Sequence, residues 1–271
     1  MVSNGIVDVL LACLMPRVTT AESAEVVGAL MTELVYTAQD KDPVPASIRK
    51  GLHKIQFVFA EYHDKAETLT VYMGVIASIC ISKDYKEAVV DAELIEAIVN
   101  AMLDHPEAVR LQEQACRTLC EVSRGEDNEA VKDYMADYLE DSFHHGFNLI
   151  ELILDAIKNF VDDLNFVEAA CSASWSVAFK NAKMKTKAAE AGVFDILKQV
   201  IDYHIHEPEV LPHCFGAISN LCANHEPNQL TAATSGIVAE SVKCLEMYKD
   251  HPMMCVTILN TLKSITVNQG Q

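Results

Sequence analysis

Apolar and polar positions along the chain follow the spacing of helices, in segments that recur at a regular interval. The segment AGVFDILKQVI (residues 191–201) serves as the template: a small residue, two apolar positions, a polar position and an apolar pair. Similar segments begin at Gly5, Gly51, Glu93, Asn148, Gly192 and Gly236. Their successive spacings are 46, 42, 55, 44 and 44 residues. The pattern therefore predicts one such helix in each of six repeated units.

A second series lies in the helix expected after each template segment, and it consists of apolar pairs three residues apart. The pairs are Met31/Leu34, Ile76/Ile79, Leu119/Val122, Val177/Lys180, Ile218/Leu221 and Leu262/Ile265, with only Lys180 breaking the pattern. The spacings between first members are 45, 43, 58, 41 and 44 residues. Both series lengthen between the third and fourth units. Two independent series that keep step in this way indicate true repeats.

A period near 44 residues favours armadillo or HEAT units, because ankyrin and tetratricopeptide units have 33 or 34 residues. Each unit is predicted to hold a short first helix, a small residue, a second helix, a turn and a longer third helix. In the fifth unit, residues 185–191 form the first helix, 193–203 the second and 209–223 the third. Gly192 lies at the junction, where a residue without a Cβ lets two helices meet at a sharp angle.

Two pairs of segments resemble the armadillo repeat family: AAEAGVFDILKQVI with CFGAISNLC, and TSGIVAESVKCL with ILNTLKSI. The resemblance spans nearly the whole chain and is strongest in the fifth and sixth units. It implies an all-α fold, a right-handed α-solenoid of about six armadillo-like three-helix repeats. Residues 1–271 are taken as one solenoid, with approximate units 1–45, 46–85, 86–128, 129–184, 185–228 and 229–271.

The ends of the chain also follow this pattern. The chain begins at what resembles the second helix of a unit, with no first helix before Gly5. Two explanations stay open, a trimmed cap or a piece of a longer protein. The last residues, SITVNQGQ, follow a third helix, where a solenoid is expected to end.

Three related segments, DHPEAV (104–109), HEPEVL (206–211) and DHPMMC (250–255), are predicted to form the turn before a third helix. Proline is favoured in a first helical turn, and Asp104 can accept from the free N–H groups there, with Glu107 at the spacing of a capping box. His105 and His206 cannot share a metal, since repeats step by about 10 Å and metal ligands lie at about 2 Å. These histidines are predicted to be structural.

Charge and composition argue against several classes of function. Lys and Arg total 21 against 39 Asp and Glu, a net charge of −18 that repels nucleic acid and anionic membranes. No stretch of about 18 residues is apolar enough to span a bilayer. The nine cysteines lie mostly in apolar helical segments, which favours a reducing cytoplasmic or nuclear compartment. No nucleophile elbow or phosphate loop occurs, so we expect no catalytic residue, no metal and no cofactor.

The third helices of such a solenoid line its concave side, where a partner would bind. The predicted contact residues are Arg117, Glu121, Trp175, Phe179, His213, Asn220 and Asn260. Importin-α-like armadillo proteins carry a Trp with an Asn four residues on, and that Asn holds a peptide backbone. Here Phe179 follows Trp175 and Gly216 precedes Asn220 at that spacing, so nuclear-signal binding is not expected. Trp175 and Phe179 either anchor a partner or fill the interior.

The lengthened third unit contains the segment GEDNEAVKDYMADYLEDSFHHG (125–146), which is predicted to form an amphipathic acidic helix. Its acidic face carries Glu129, Asp133, Asp137 and Glu140. Two interpretations stay open: the solvated face of a first helix, or a docking face for a basic partner.

These patterns predict a non-catalytic scaffold or adaptor that binds a protein or peptide along the concave third-helix surface, and the acidic charge favours a basic partner. The alternatives are a stoichiometric structural subunit of a larger assembly, and an armadillo-like chaperone or exchange factor for a GTPase or motor client. This step rests on analogy of fold.

Overall fold

A computed structural model describes residue 10 and residues 20–38, 46–82, 85–125, 128–142 and 148–266. Within these ranges the regular elements are fifteen α-helices, and no strand occurs. The helices are α1 Ala21–Ala38, α2 Ala46–Glu61, α3 Ala66–Cys80, α4 Lys86–Asp91, α5 Leu94–Asp104, α6 Val109–Ser123, α7 Glu129–Ser142, α8 Leu149–Asn159, α9 Leu164–Ala178, α10 Ala182–Glu190, α11 Val193–Tyr203, α12 Leu211–Cys222, α13 Glu226–Thr234, α14 Ile237–Met247 and α15 Pro252–Thr266. The expectations for Gly5 and residues 267–271 lie outside the described residues.

The helices fall into the three predicted types. First helices are α4, α7, α10 and α13; second helices are α2, α5, α8, α11 and α14; third helices are α1, α3, α6, α9, α12 and α15. In the fifth repeat the second helix has the predicted bounds, the first begins three residues earlier than predicted, and the third covers the shorter range Leu211–Cys222. The all-α prediction is confirmed.

The chain divides into two compact units, Met1–Tyr134 and Met135–Gln271. In the first unit α1, α3 and α6 pack in series, and α2 packs against α5. In the second unit α9, α12 and α15 pack in series, as do α8, α11 and α14, while α10 packs against α13. Within each unit, second and third helices therefore contact the helix of the same type in the next repeat.

The apolar pairs of the third helices form much of the core. Ile76, Leu119 and Ile218 are fully buried, and burial of one such side chain contributes about 1.5–3 kcal/mol. Lys180, the exception in the series, lies beyond the end of α9 and has a φ of 57°. The pattern breaks there because the helix has already ended.

Left-handed backbone marks three junctions between first and second helices. Gly192 and Gly236 precede α11 and α14 with φ of 78° and 92°, and Glu93 precedes α5 with φ of 55°. The predicted junction at Gly51 is wrong, because Gly51 lies inside α2. Glycine inside a helix costs only about 1 kcal/mol, which burial of the adjacent Leu52 offsets.

The predicted turns before α6, α12 and α15 are present, but the predicted cap at Asp104 is not. Asp104 is the last residue of α5, and α6 begins after Ala108 without a side-chain cap. The capping box of Asp104 and Glu107 is therefore wrong, because four residues, 105–108, separate the two helices. Pro252 is the first residue of α15, where its missing N–H leaves no donor unpaired.

The histidines in these turns connect successive repeats. Nε2 of His105 lies 2.6 Å from the carbonyl oxygen of His63, and Nε2 of His204 lies 2.5 Å from that of Val161. Each ring N–H donates to a carbonyl of the preceding repeat. His204 is the structural equivalent of His105, because each directly follows the last residue of a second helix. The sequence pattern had instead paired His105 with His206. His206 is exposed.

Candidate partner-binding surface

The third helices of the second unit, α9, α12 and α15, present three of the predicted contact residues to solvent. The side chain of Trp175 is 46% exposed, Asn260 is exposed, and the side chain of His213 is 34% exposed. We call this the third-helix surface, defined by Trp175, His213 and Asn260. A large aromatic group on a rigid helix is a typical anchor for a protein partner.

Asn220 has a different place in the structure from the one that a peptide-binding Asn would take. The residue is only 8% exposed, and its Nδ2 donates a hydrogen bond of 2.6 Å to the carbonyl oxygen of Trp175. That carbonyl lies in the last turn of α9, where helical carbonyls lack partners within the helix. Asn220 therefore joins α12 to α9 and fixes the backbone that carries Trp175.

A cavity of about 340 Å³ opens at the carboxyl ends of α9 and α12. Its lining residues are Phe179, Lys180, Ala182, Lys185, Asn220, Ala223, Asn224 and His225. Phe179 is half-buried, and the Nζ of Lys180 lies 5.7 Å from the centre of its ring. The structure thus brings Phe179 and Asn220 together in one cavity, one turn from Trp175.

A buried lysine contributes to the electrostatic character of this cavity. The Nζ of Lys185 donates to the carbonyl oxygen of Ala223 at 2.6 Å, just beyond the negative end of the α12 dipole. Burial lowers the pKa of the Lys185 ammonium. Burial, with the charge of Lys185 nearby, also lowers the pKa of the His225 imidazole. The cavity wall is therefore cationic or neutral, although the chain as a whole is acidic.

His213 belongs to a small polar cluster between α9 and α12. Its Nδ1 lies 3.1 Å from the Oγ of Ser172, and its Nε2 lies 4.0 Å from Oε1 of Glu168. Ser172 is in the middle of α9, where the backbone N–H groups bond within the helix. The cluster is suited to hydrogen bonding with a partner.

Arg117 and Glu121 lie on α6 of the first unit, and each makes an ion pair within its own helix or at its end. Nε of Arg117 is 3.0 Å from Glu113, and Glu121 is 3.0 Å from Arg124. Pairs of this kind contribute about 0.3–0.5 kcal/mol. A partner that bound Arg117 or Glu121 would have to compete with these ion pairs.

The acidic helix is α7, and Glu129, Asp133 and Asp137 are exposed on it. Oδ1 of Asp137 accepts a bond of 2.5 Å from Lys183 on α10. The side chain of Glu140 lies outside the described residues. Asp137 thus has a structural partner within the second unit.

Sequence reasoning missed a set of buried basic side chains in the first helices. Lys86 donates to the carbonyl oxygens of Glu121 and Arg124, Lys132 to that of Gly125, and Lys185 to that of Ala223. In the sixth repeat the Nε2 of Gln229 donates to the carbonyl of Ser264. The donors Lys86, Lys132, Lys185 and Gln229 are 46, 53 and 44 positions apart, in step with the repeats. That spacing is the sequence signal by which they could have been found.

The described part of the chain contains neither a candidate metal site nor a candidate membrane span. No group of three or more His, Cys, Asp or Glu side chains there is placed to hold a metal ion. Nor does any helix in those ranges combine the length and apolar character needed to cross a membrane.

Comparisons with known proteins identify the fold. No family model and no curated protein matches the chain. Two engineered proteins, Northeast Structural Genomics Consortium targets OR329 and OR366, align over 97% of this chain and 97% and 99% of their own, each at a TM-score of 0.77 and at 17% and 16% identity.

A third solved structure comes from work on the phosphorylation switch that controls the interaction between cadherin and beta-catenin. One of its chains aligns with 98% of this chain at a TM-score of 0.71 and 17% identity, and this chain spans about half (48%) of it. At such identities the likeness concerns the fold alone. The fold is an α-solenoid of helical repeats, as the sequence predicted.

Proposed function

We propose that this chain is an armadillo-like, non-catalytic scaffold that binds a protein or peptide along the third-helix surface of its second unit. The observation that carries the proposal is the exposed Trp175, whose backbone is held by Asn220 beside a cavity of about 340 Å³. The neighbour from the cadherin and beta-catenin work supports it, because that solenoid is associated with a protein interaction.

The physical argument is one of preorganisation. Trp175 projects from a packed helix, so its backbone loses no further freedom when a partner binds. His213 and Asn260 supply hydrogen-bonding groups on the neighbouring helices α12 and α15. An aromatic anchor flanked by polar groups favours an extended segment that crosses the three helices.

Charge defines the partner further. The net charge of −18 would steer a basic segment towards the protein, and Glu168, 39% exposed beside His213, would receive an Arg or Lys of that segment. The cavity holds Lys180 and Lys185, so an apolar or acidic residue of the same segment would enter there. We therefore propose a basic segment with one apolar or acidic end.

Selection from a phage-displayed library of 16-residue peptides tests the proposal. Enriched peptides are expected to bind wild type and to lose about tenfold in affinity or more with Trp175→Ala, since an anchor of this kind is worth about 2 kcal/mol. Tyr203→Ala is the matched control, because Tyr203 is an exposed aromatic residue on α11. Peptides that bind the Trp175 variant as well as wild type would contradict the proposed surface.

A further inference from the structure

Exposed large hydrophobic side chains are concentrated in the last repeat. Of the twelve in the described residues, six lie on α13, α14 and α15. They are Leu230 (69% exposed), Val242 (45%), Met247 (44%), Met253 (79%), Val256 (52%) and Leu259 (53%). A local concentration of this kind marks an interaction site more often than single exposed hydrophobics do.

The fifth repeat shows what these positions do when another repeat covers them. The Oγ1 of Thr186 lies 3.2 Å from Nε2 of His225, the N-cap residue of α13, which is the first helix of the next repeat. The Cε of Lys198 lies 3.3 Å from the point where a Cβ on Gly236 would stand. The carbonyl oxygen of Phe215 accepts a 2.9 Å bond from Thr261. One residue on each helix type thus contacts the next repeat.

A shift of 44 residues carries each of these contacts onto the last repeat. Thr186 corresponds to Leu230 and Lys198 to Val242. Phe215, which is fully buried under α15, corresponds to Leu259, which is 53% exposed. Three exposed apolar residues on three helices therefore occupy the positions by which the preceding repeat contacts its neighbour.

Met247 does not belong to this face. It corresponds to Tyr203, which is itself 61% exposed although a repeat follows it. Val256 corresponds to Pro212 and lies one turn from Leu259 on α15. We define the layer-docking face as Leu230, Val242, Val256 and Leu259.

We propose that the layer-docking face binds a helical layer of another protein, centred on an amphipathic helix with an uncharged apolar stripe and a Thr or Ser in it. The hydroxyl follows from the two repeat contacts of this kind. Thr261 donates to the carbonyl of Phe215, and in the first unit Thr118 donates to the carbonyl of Met73. The equivalent acceptor on the docking face is the carbonyl of Leu259.

The apolar character of the partner follows from the residue types on the face. Leu230 and Val242 stand where the preceding repeat has Thr186 and Lys198, so a charged group facing them would lose hydration without gaining a partner. This surface lies on all three helices of the last repeat. It is independent of Trp175, which carries the proposed function.

A fluorescent, hydrocarbon-stapled peptide with the sequence of α15 (residues 252–266) is the probe, because α15 makes the equivalent contact with α12. Wild type is expected to bind it saturably in fluorescence anisotropy. Leu259→Glu is expected to weaken binding about tenfold or more, and Thr261→Val in the peptide several-fold. Tyr203→Glu on the protein is the matched control, expected to bind as wild type does.

Each possible result of this experiment either supports or overturns the proposal. Absence of saturable binding up to about 1 mM, or equal binding by Leu259→Glu, overturns the proposal. Val242→Glu serves as the second variant if Leu259→Glu loses its helical circular dichroism. Sedimentation of the protein alone tests whether a second copy of the chain occupies the face. A dimer that Leu259→Glu dissociates would assign the face to that second copy and overturn the assignment to another protein. Trp175→Ala should leave peptide binding unchanged, which separates this test from that of the third-helix surface.

Discussion

Nε2 of His204 lies 2.5 Å from the carbonyl oxygen of Val161, 43 residues earlier in the chain. The same relation joins His105 to the carbonyl of His63 over 42 residues, and the hydroxyl of Tyr248 to that of Ile205 over 43. Each donor directly follows a second helix, and each acceptor lies in the turn of the preceding repeat. The period of the sequence is thus also a period of hydrogen bonds.

His204→Phe tests this relation, because it retains an aromatic ring and removes the donor. His204 is 3% exposed, so the variant leaves the Val161 carbonyl without its partner and should lower the free energy of unfolding by about 1–2 kcal/mol. Urea denaturation followed by circular dichroism measures the change. His206→Phe is the matched control, expected within about 0.5 kcal/mol of wild type because His206 is exposed. Equal losses in both variants would refute a specific role for His204.

Gly28 and Gly74 are predicted to respond to alanine with opposite signs. A Cβ on Gly28 would stand 2.6 Å from Cγ1 of Val71, whereas a Cβ on Gly74 would find its nearest neighbour at 3.9 Å. Gly28→Ala should therefore destabilise the protein by about 1 kcal/mol, since overpacking exceeds the gain in helix propensity. Gly74→Ala should stabilise it by about 0.5–1 kcal/mol. Thermal and urea unfolding check both signs, and a stabilising Gly28→Ala would show that α1 and α3 pack less closely.

Alkaline pH should destabilise the fold through its buried thiols. Burial raises the pKa of Cys80 and of Cys222 to about 12 and that of Cys244 to about 11, against 9.0 for an ordinary thiol. A folded pKa above the unfolded one gives stability that is complete below pH 9 and is lost as pH rises towards the folded value. Burial lowers the pKa of Lys86 and Lys185, which acts in the opposite direction.

The variant Cys80→Ala isolates one thiol. Between pH 9 and 10 each buried thiol should remove about 1 kcal/mol, so the variant should lose correspondingly less stability than wild type over that interval. Urea denaturation of both proteins at pH 9 and at pH 10 gives the two losses. If Cys80→Ala loses as much stability as wild type between the two pH values, ionisation of Cys80 is not coupled to unfolding.

Thr261→Val tests the hydrogen bond between third helices. Thr261 is fully buried, and its Oγ1 donates to the carbonyl of Phe215, so the variant should lose about 1 kcal/mol of stability at nearly constant volume. Thr257→Val is the control, because its hydroxyl bonds only to the carbonyl of Met253 in its own helix. The control should stay within about 0.5 kcal/mol of wild type. Chemical denaturation measures the loss of stability in each variant. Equal losses in Thr261→Val and Thr257→Val would contradict a stabilising hydrogen bond between the repeats.

The errors of sequence reasoning share one physical cause. Gly51 resembles Gly192 in its local sequence, yet only Gly192 has left-handed backbone, because tertiary packing keeps α2 continuous through Gly51. His206 stands in a turn segment like that of His105, yet His204 is the residue that reaches the preceding repeat. Local similarity identified the type of segment, and packing selected the residue that acts.

The sequence by itself determined the all-helical fold, the apolar pairs of the third helices and the range of α11, because helix formation and core burial are properties of local spacing. Tertiary structure alone decided which polar side chains are exposed. Asn220 and Lys185 look like surface residues in sequence, but both donate to carbonyls 38 to 45 positions away. The Lys185 bond depends on how helices pack within a repeat and the Asn220 bond on the register between repeats, and no single helix contains either.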